Sequence, residues 1–228
     1  MTAAAINNSH LAARALDARM AWAAGQNAKE PLCMAGTVVH FAEGRQIFAE
    51  GDSPDTFYKV VSGVVRTCRF LNDGRRQIEA FCVEGEVFGF ESGEDRILSA
   101  EAVSACTLIS YRRRNIDQLA QKDEAVCHQL LKFAMHNLAQ AQAHSLLLGR
   151  RGAAEKVASF LLDWSERCAT DREIHLAMSR QDIADYLGLT IETVSRSLSQ
   201  FERNGVIALP SIRQLRVLDV DALEELAA

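Results

Sequence analysis

MSRQDIADYLGLTIETVSRSLSQFERN, running from Met178 to Asn204, spells out two short helices and the turn between them. Ser179 is a natural N-cap, and Asp182 three residues on completes a capping box. Ile183, Ala184 and Leu187 give the first helix an apolar stripe at helical spacing. Gly188 supplies the tight turn, because glycine enters the left-handed region at little cost. Thr190 caps the second helix, whose Ile191, Val194, Leu198 and Phe201 recur at three- and four-residue steps. Its outward positions are then Glu192, Thr193, Ser195, Arg196 and Ser199. Those side chains suit base edges and phosphates: arginine pairs with guanine, glutamate accepts from the cytosine amino group, and hydroxyls serve either.

Two amphipathic helices around a glycine occur in many folds, so the residues that follow carry weight. Val206 to Leu209 reads as a strand, Pro210 and Ser211 as the start of a turn, and Gln214 to Leu218 as a second strand. A helix-turn-helix followed by a β-wing binds DNA. Arg213 and Arg216 fall on that wing, where phosphates are met.

Upstream the pattern changes. From Val38 to Arg113, short alternating runs are separated by glycine turns: residues 46–49, 58–61, 64–70, 77–82 and 107–111. Asn72-Asp73-Gly74 is a hairpin signal. Many short strands at regular spacing indicate a β-roll or barrel, with turn formation sufficient to explain most of the glycines. Residues 115–149 then read as one long helix. Cys127, Leu131, Ala134, Leu138, Ala141, Ser145 and Leu148 recur along it at alternating steps of four and three, which is a coiled-coil seam. A second stripe, Val126, Leu130 and Phe133, is available to face the roll. A helix with two apolar faces needs two partners, and a second copy of the chain is the expected one for the seam. Gly149-Arg150-Arg151-Gly152 breaks the helix as a hinge. Ala153 to Ala169 forms another helix, with Val157, Phe160, Leu161 and Trp164 inward, and a short strand within 171–177 leads into the helix-turn-helix. Residues 1–35 read as an arm with a short helix from His10 to Trp22; Trp22 and Cys33 pack it onto the roll.

The expected class is therefore α+β: arm 1–35, β-roll 36–114, dimerisation helix 115–149 and winged helix-turn-helix 150–228. The recognition helix, with Glu192-Thr193-Val194-Ser195-Arg196 at its core, resembles the CRP/FNR superfamily of bacterial transcription factors, and within it the FNR and FixK branch. The segment FAEGRQIFAEGDSPDTFYKVVSGVVRTCRFLNDGRRQIEAFCVEGEVFGF resembles that family's cyclic-nucleotide-binding-like roll at Gly44, Gly51, Gly63, Gly74, Gly85 and Gly89. The resemblance implies a homodimer that reads a TTGA-type palindrome. Glu192, Ser195 and Arg196 would contact bases. Ser179, Arg180, Gln181, Thr190, Thr193, Ser199 and Arg213 would contact the backbone. RNA polymerase is the implied partner of an activator, and oxygen-limited metabolism or nitrogen fixation is the implied setting.

Composition bounds these readings. The hydrophobic content of 48% is ordinary for a globular protein. No run approaches the roughly 18 apolar residues of a membrane span, and no signal peptide opens the chain, so a cytoplasmic location is expected. Six cysteines, at 33, 68, 82, 106, 127 and 168, form no paired framework. The net charge of −5 is unusual for a DNA binder, but from Ser179 to Arg216 five arginines face four acids. No enzyme constellation is present.

The family senses signals in several ways. An iron–sulfur sensor needs clustered N-terminal cysteines, and here the arm has only Cys33, with Cys106 at best a distant fourth ligand. A cyclic-nucleotide sensor needs an acid after Gly85-Glu86-Val87-Phe88-Gly89 and an arginine before Ser99-Ala100; those places hold Phe90 and Leu98. Glu91 and Arg96 lie near, and a slipped register would bring them in. Haem is left open by His40, His128, His136 and His144, the last three spaced by eight on one helix, where solvation is the commoner fate. Cys127 opens a thiol alternative at the seam. The expectation is a regulator with no cofactor and no metal, the alternative being a nucleotide- or haem-gated sensor.

Overall fold

The computed structural model describes Leu32 and residues 35–91, 93–150, 152–168 and 173–228. Apart from Leu32 and Ala35, the arm, with Trp22 and Cys33, lies outside the described residues. Eight strands build the N-terminal half: β1 (Thr37–Phe41), β2 (Gln46–Phe48), β3 (Thr56–Ser62), β4 (Val65–Phe70), β5 (Arg76–Cys82), β6 (Val87–Phe88), β7 (Ser99–Ala102) and β8 (Cys106–Arg112). They form two antiparallel sheets, ordered β1-β8-β3-β6 and β2-β7-β4-β5. Phe48, Val60, Val65, Ala100, Ala102 and Leu108 alternate inward from both sheets and close the core between them.

The five runs read from the sequence all appear as strands, within two residues at each end. β1, β6 and β7 were not among them. β7 reads Ser-Ala-Glu-Ala, with low strand propensity, yet it pairs with both β2 and β4 and buries Ala100 and Ala102. The six glycines quoted above take φ of 73° to 88°, so turn geometry accounts for them. Gly63 is the most demanding, since a Cβ there would sit 2.5 Å from the Ala105 carbonyl. Gly63→Ala is expected to destabilise the roll by about 2–4 kcal/mol from left-handed strain plus overpacking, measured as a lower urea midpoint at unchanged slope.

Two helices follow where one was expected: α1 (Arg113–Ala120) and α2 (Glu124–Leu148). The chain breaks because Asp123 takes an extended conformation, φ −133°, and its carboxylate accepts from the Ala125 amide as an N-cap. Val126 and Phe133 of α2 are buried against Phe57, Tyr111 and Ile116, with Leu130 packed beside them, so the second stripe does face the roll.

After the break at Gly149, α3 (Ala153–Cys168), β9 (Glu173–His175), α4 (Arg180–Leu187), α5 (Ile191–Arg203), β10 (Ile207–Ser211), β11 (Gln214–Val217) and α6 (Val220–Ala227) complete the chain. The sheet β10-β11-β9 is the wing, and its hairpin is longer than expected, because Pro210 and Ser211 still belong to β10. Val157, Phe160, Leu161 and Trp164 of α3 point inward as their spacing predicts. They share one continuous apolar cluster with Ile183, Val194, Leu198 and Phe201 of the reading head and with Ile78 and Phe81 of the roll. The head is docked on the roll of its own chain.

Candidate nucleic-acid interface

The local code at Met178–Asn204 is realised. Ser179 Oγ accepts from the Asp182 amide at 3.1 Å, and the Asp182 carboxylate accepts from the Ser179 amide at 3.0 Å, completing the capping box. Gly188 closes α4 in the left-handed region, φ 64° and ψ 38°. Gly188→Ala meets no clash, since the nearest atom to an added Cβ is Leu148 Cδ2 at 3.7 Å. The expected cost is the strain alone, about 1–2 kcal/mol, read as a lower melting temperature with DNA affinity kept.

Helix α5 presents Glu192, Arg196 and Ser199 to solvent, with Thr193 and Ser195 half-buried beside them. Thr190 Oγ1 caps α5 by accepting from the Thr193 amide at 3.3 Å. Arg196 makes a long 3.5 Å contact to Thr193 Oγ1 of its own helix. The Glu192 backbone amide and then the Thr190 hydroxyl hold the Glu192 carboxyl below its usual range, so it stands ready as an acceptor. Around this face, Arg180 is half-exposed, and Gln181 donates to Asp185 Oδ1 at 2.6 Å. Arg213 on the wing lies 3.5 Å from Glu43 of the roll, and Arg216 pairs with Glu173.

The acids of α4 are not left facing DNA. Arg66 of β4 reaches Asp182 at 2.9 Å, and Arg76 of β5 pairs with both Asp182 and Asp185. Glu101 of β7 holds Arg66 from the other side at 2.8 Å. Two carboxylates near the end of a DNA-reading motif would repel phosphate; the roll neutralises them. Reading the sequence missed Arg66 and Arg76, although acids in the first helix of such a motif signal a need for cations from elsewhere. Burial pushes the Asp182 carboxyl up, but the Ser179 amide and hydroxyl and then the two arginines pull it net below the usual range. A depressed carboxyl stabilises the docked form above the ordinary carboxylate pKa and loses that contribution as pH falls through its lowered value. Asp182→Asn should therefore lower the melting temperature at neutral pH, and the gap to wild type should close below about pH 4. A gap unchanged in acid would count against the cluster.

Residues 155–226 match the family model of the Crp-like helix-turn-helix domain, and residues 38–123 match that of the cyclic nucleotide-binding domain. The nitrogen fixation regulation protein FixK of Azorhizobium caulinodans is 48% identical over 84% of this chain and 79% of its own length. Its namesake in Rhizobium meliloti is 43% identical over 83% and 86%. The chain belongs to the CRP/FNR family. The solved structure of FixK2 from Bradyrhizobium japonicum superposes with a TM-score of 0.81 at 40% identity, covering 85% of this chain and 98% of that one. As a FixK-type member of the CRP/FNR family, the chain is a transcription regulator that binds DNA through its helix-turn-helix, and not an enzyme.

The side chains present do not fit the nucleotide that the CRP/FNR roll is named for. A cavity of about 150 Å³ lies between the roll, α2 and the head, lined among others by Glu86, Phe90, Glu91, Leu98, His136 and Arg167. Phe90 packs edge-on to Phe57 at 5.1 Å. Arg96, the slipped-register candidate for a phosphate partner, is already engaged: it is 2% exposed, its guanidinium lies 3.6 Å above the Phe48 ring, it donates to the Thr56 carbonyl, and it lies 3.7 Å from Glu91. The cation in the lining, Arg167, is already paired with Glu86 at 2.9 Å.

Two of the helix histidines are not solvated. His136 lies 3.6 Å from Glu86, and buried His144 stacks on Tyr186 of α4 at 4.0 Å and bonds the Tyr186 carbonyl at 2.8 Å. Only His128 of the three is exposed, beside Glu124. Spacing put them on one face; it does not say that the head covers that face. Burial pushes the Cys68 and Cys168 thiols up to about 11, and those of Cys82 and Cys106 are raised by the same cause. Cys127 is exposed on α2.

Of the seam residues, Cys127, Leu131, Leu138, Ala141 and Ser145 are exposed, while Ala134 and Leu148 are half-buried toward the chain's own body. Met135 and Leu146, 58% and 77% exposed, extend the open apolar strip and were not in the predicted set. The strip is thus centred slightly round the helix from the heptad reading. Among the described residues no helix is long and apolar enough to cross a membrane.

Proposed function

We propose that the protein is a homodimeric activator that reads a TTGA-type palindrome, with Glu192, Ser195 and Arg196 on base edges and Ser179, Arg180, Gln181, Thr190, Thr193, Ser199 and Arg213 along the backbone. The observation that carries this reading is the pairing of an open recognition face on α5 with an open apolar strip on α2. A strip of exposed Leu131, Met135, Leu138 and Leu146 suits a second copy of the same helix, and two-fold symmetry then calls for a palindromic site whose halves lie about one helical turn apart. The long helix, 115–149 in the sequence reading, acts as the dimerisation element through its α2 portion. The winged domain from residue 150 is the reader, and the roll from 36 to 114 is its support.

The FixK relatives named for nitrogen fixation support a role in oxygen-limited or nitrogen-fixation gene control, with RNA polymerase as the partner of the bound dimer. A DNA partner implies a cytoplasmic protein. The reading needs no bound effector, because Phe90 and Leu98 stand where ribose and phosphate partners would be and Arg96 is held elsewhere. The test is DNA selection followed by footprinting with aerobically purified, colourless protein. A symmetrical TTGA-type site, bound in plain buffer and unchanged by millimolar cyclic AMP, is expected. An asymmetric site, or a strict need for nucleotide, haem or iron and sulfide, overturns the reading.

A further inference from the structure

Three parts of the chain meet at one buried point. Arg167, from the helix that opens the reading head, extends its guanidinium under the roll. There it pairs with Glu86 at 2.9 Å, donates to the Phe81 carbonyl, and holds Asp163 of its own helix at 3.2 Å. Glu86 is 9% exposed and is held from α2 by His136 at 3.6 Å and Gln140 at 3.4 Å, and from the roll by the Val83 amide at 3.0 Å. Glu86 thus belongs to the roll, Arg167 to the head and His136 to the long helix. Burial pushes the Glu86 carboxyl up, yet Arg167 and His136 bring it net below its usual range; the pair is ionised.

We infer that Arg167 is a positioning residue for DNA recognition: through Glu86 and His136 it fixes the orientation of the reading head relative to the dimerisation helix. The inference rests on the proposed reading of a palindrome by a dimer. Two recognition helices must sit about 34 Å apart to reach both half-sites. A head attached only through the break after Leu148 would sample many spacings, and ordering it at the moment of binding would weaken affinity. The junction references each head to α2, the element that carries the two-fold axis. It does so while Glu192 and Arg196 stay exposed and while Asp182 and Asp185 are neutralised by Arg66 and Arg76, so the docked orientation is the one competent to read. An ion pair in this place also makes geometric sense. A buried pair is directional and fails sharply when one partner is lost, whereas an apolar contact tolerates sliding.

The experiment compares Arg167→Met, Arg167→Lys, Glu86→Gln and the Arg167→Met/Glu86→Gln double variant, all in full-length protein. Operator affinity is measured by mobility shift, dimerisation by sedimentation, and head docking by Trp164 emission in a Trp22→Phe background. Trp164 is 1% exposed and lies 6.0 Å from the Phe81 ring of the roll, so undocking shifts its emission to the red; because the Arg167 guanidinium lies 5.4 Å over the Trp164 ring, the shift is read in Glu86→Gln, which leaves that contact in place. Arg167→Met and Glu86→Gln should each weaken operator binding by about tenfold or more while the dimer and the far-ultraviolet dichroism are kept. Arg167→Lys, which retains a charge for Glu86, should recover part of the loss, and the double variant should be no worse than the poorer single one. Operator binding that is unchanged or tighter in both single variants, or losses that simply add in the double, overturns the inference. If wild-type protein fails to bind a palindrome at all, it is the proposed function that falls.

Discussion

Arg196→Ala is expected to abolish discrimination of the operator and leave the fold untouched. The side chain is exposed on α5 and makes one long contact to Thr193, so its removal opens no cavity and breaks no core bond. A bidentate arginine–guanine pair is worth about 1–3 kcal/mol, and a dimer loses it twice, which amounts to roughly 30-fold to 20,000-fold in affinity. The measurement is a mobility shift with the selected palindrome against a scrambled duplex of equal length. The variant should bind both with the weak affinity that phosphate contacts alone provide. Glu192→Ala should behave differently, relaxing preference at one base pair without collapsing affinity. A variant lacking Arg196 that still prefers the palindrome would sink the assignment of the reading face.

The second large effect is on assembly. Leu138 is 51% exposed in the isolated chain and belongs to none of the buried clusters, so Leu138→Lys leaves the protomer intact. Across the proposed two-fold axis the new ammonium would face its own copy in a desolvated seam, at a cost of several kcal/mol. Sedimentation at low micromolar concentration should show a monomer with unchanged circular dichroism and lost operator binding. A variant that stays dimeric would move the interface away from Leu138. The exposed Met135 and Leu146 on the same helix are then the next positions to probe, and dimers that survive substitution there too would move the interface off α2.

What the sequence disclosed and what it withheld divide along the range of the interactions. The caps at Ser179 and Thr190 and the turn at Gly188 are local: donor, acceptor and φ all lie within four residues, so their residue types reveal them. The apolar spacing of α5 and the long strands of the roll are visible for the same reason. The family resemblance, carried by Glu192 to Arg196 and by the turn glycines, supplied the order of domains. β7 was hidden because its identity as a strand comes from neighbours on both sides rather than from Ser-Ala-Glu-Ala itself. The split between α1 and α2 rests on Asp123 taking an extended conformation in a stretch whose periodicity continues almost unbroken. The contacts that join head to roll were the least legible. Arg66 and Asp182 are 116 residues apart, and nothing in either segment names the other. His136 and His144 show the same limit: their spacing gave the face, and only the docked head explains why that face is buried.

The apolar cluster beneath the head has one further consequence, for how such regulators can be recombined. Cys68, Ile78 and Phe81 of the roll belong to the same continuous core as Phe160, Trp164, Leu187 and Phe201. The winged segment is therefore not an interchangeable cassette. Grafted onto another roll, it would meet a foreign surface in place of Phe81 and would carry Asp182 and Asp185 without their arginines. A chimaera joined at Gly149 should fold poorly unless β4 and β5 travel with the head. The outward side chains of α5 take no part in that core. On the proposed reading face, new operator preferences can arise by single substitutions, while the seat of the head stays tied to the body of the same chain.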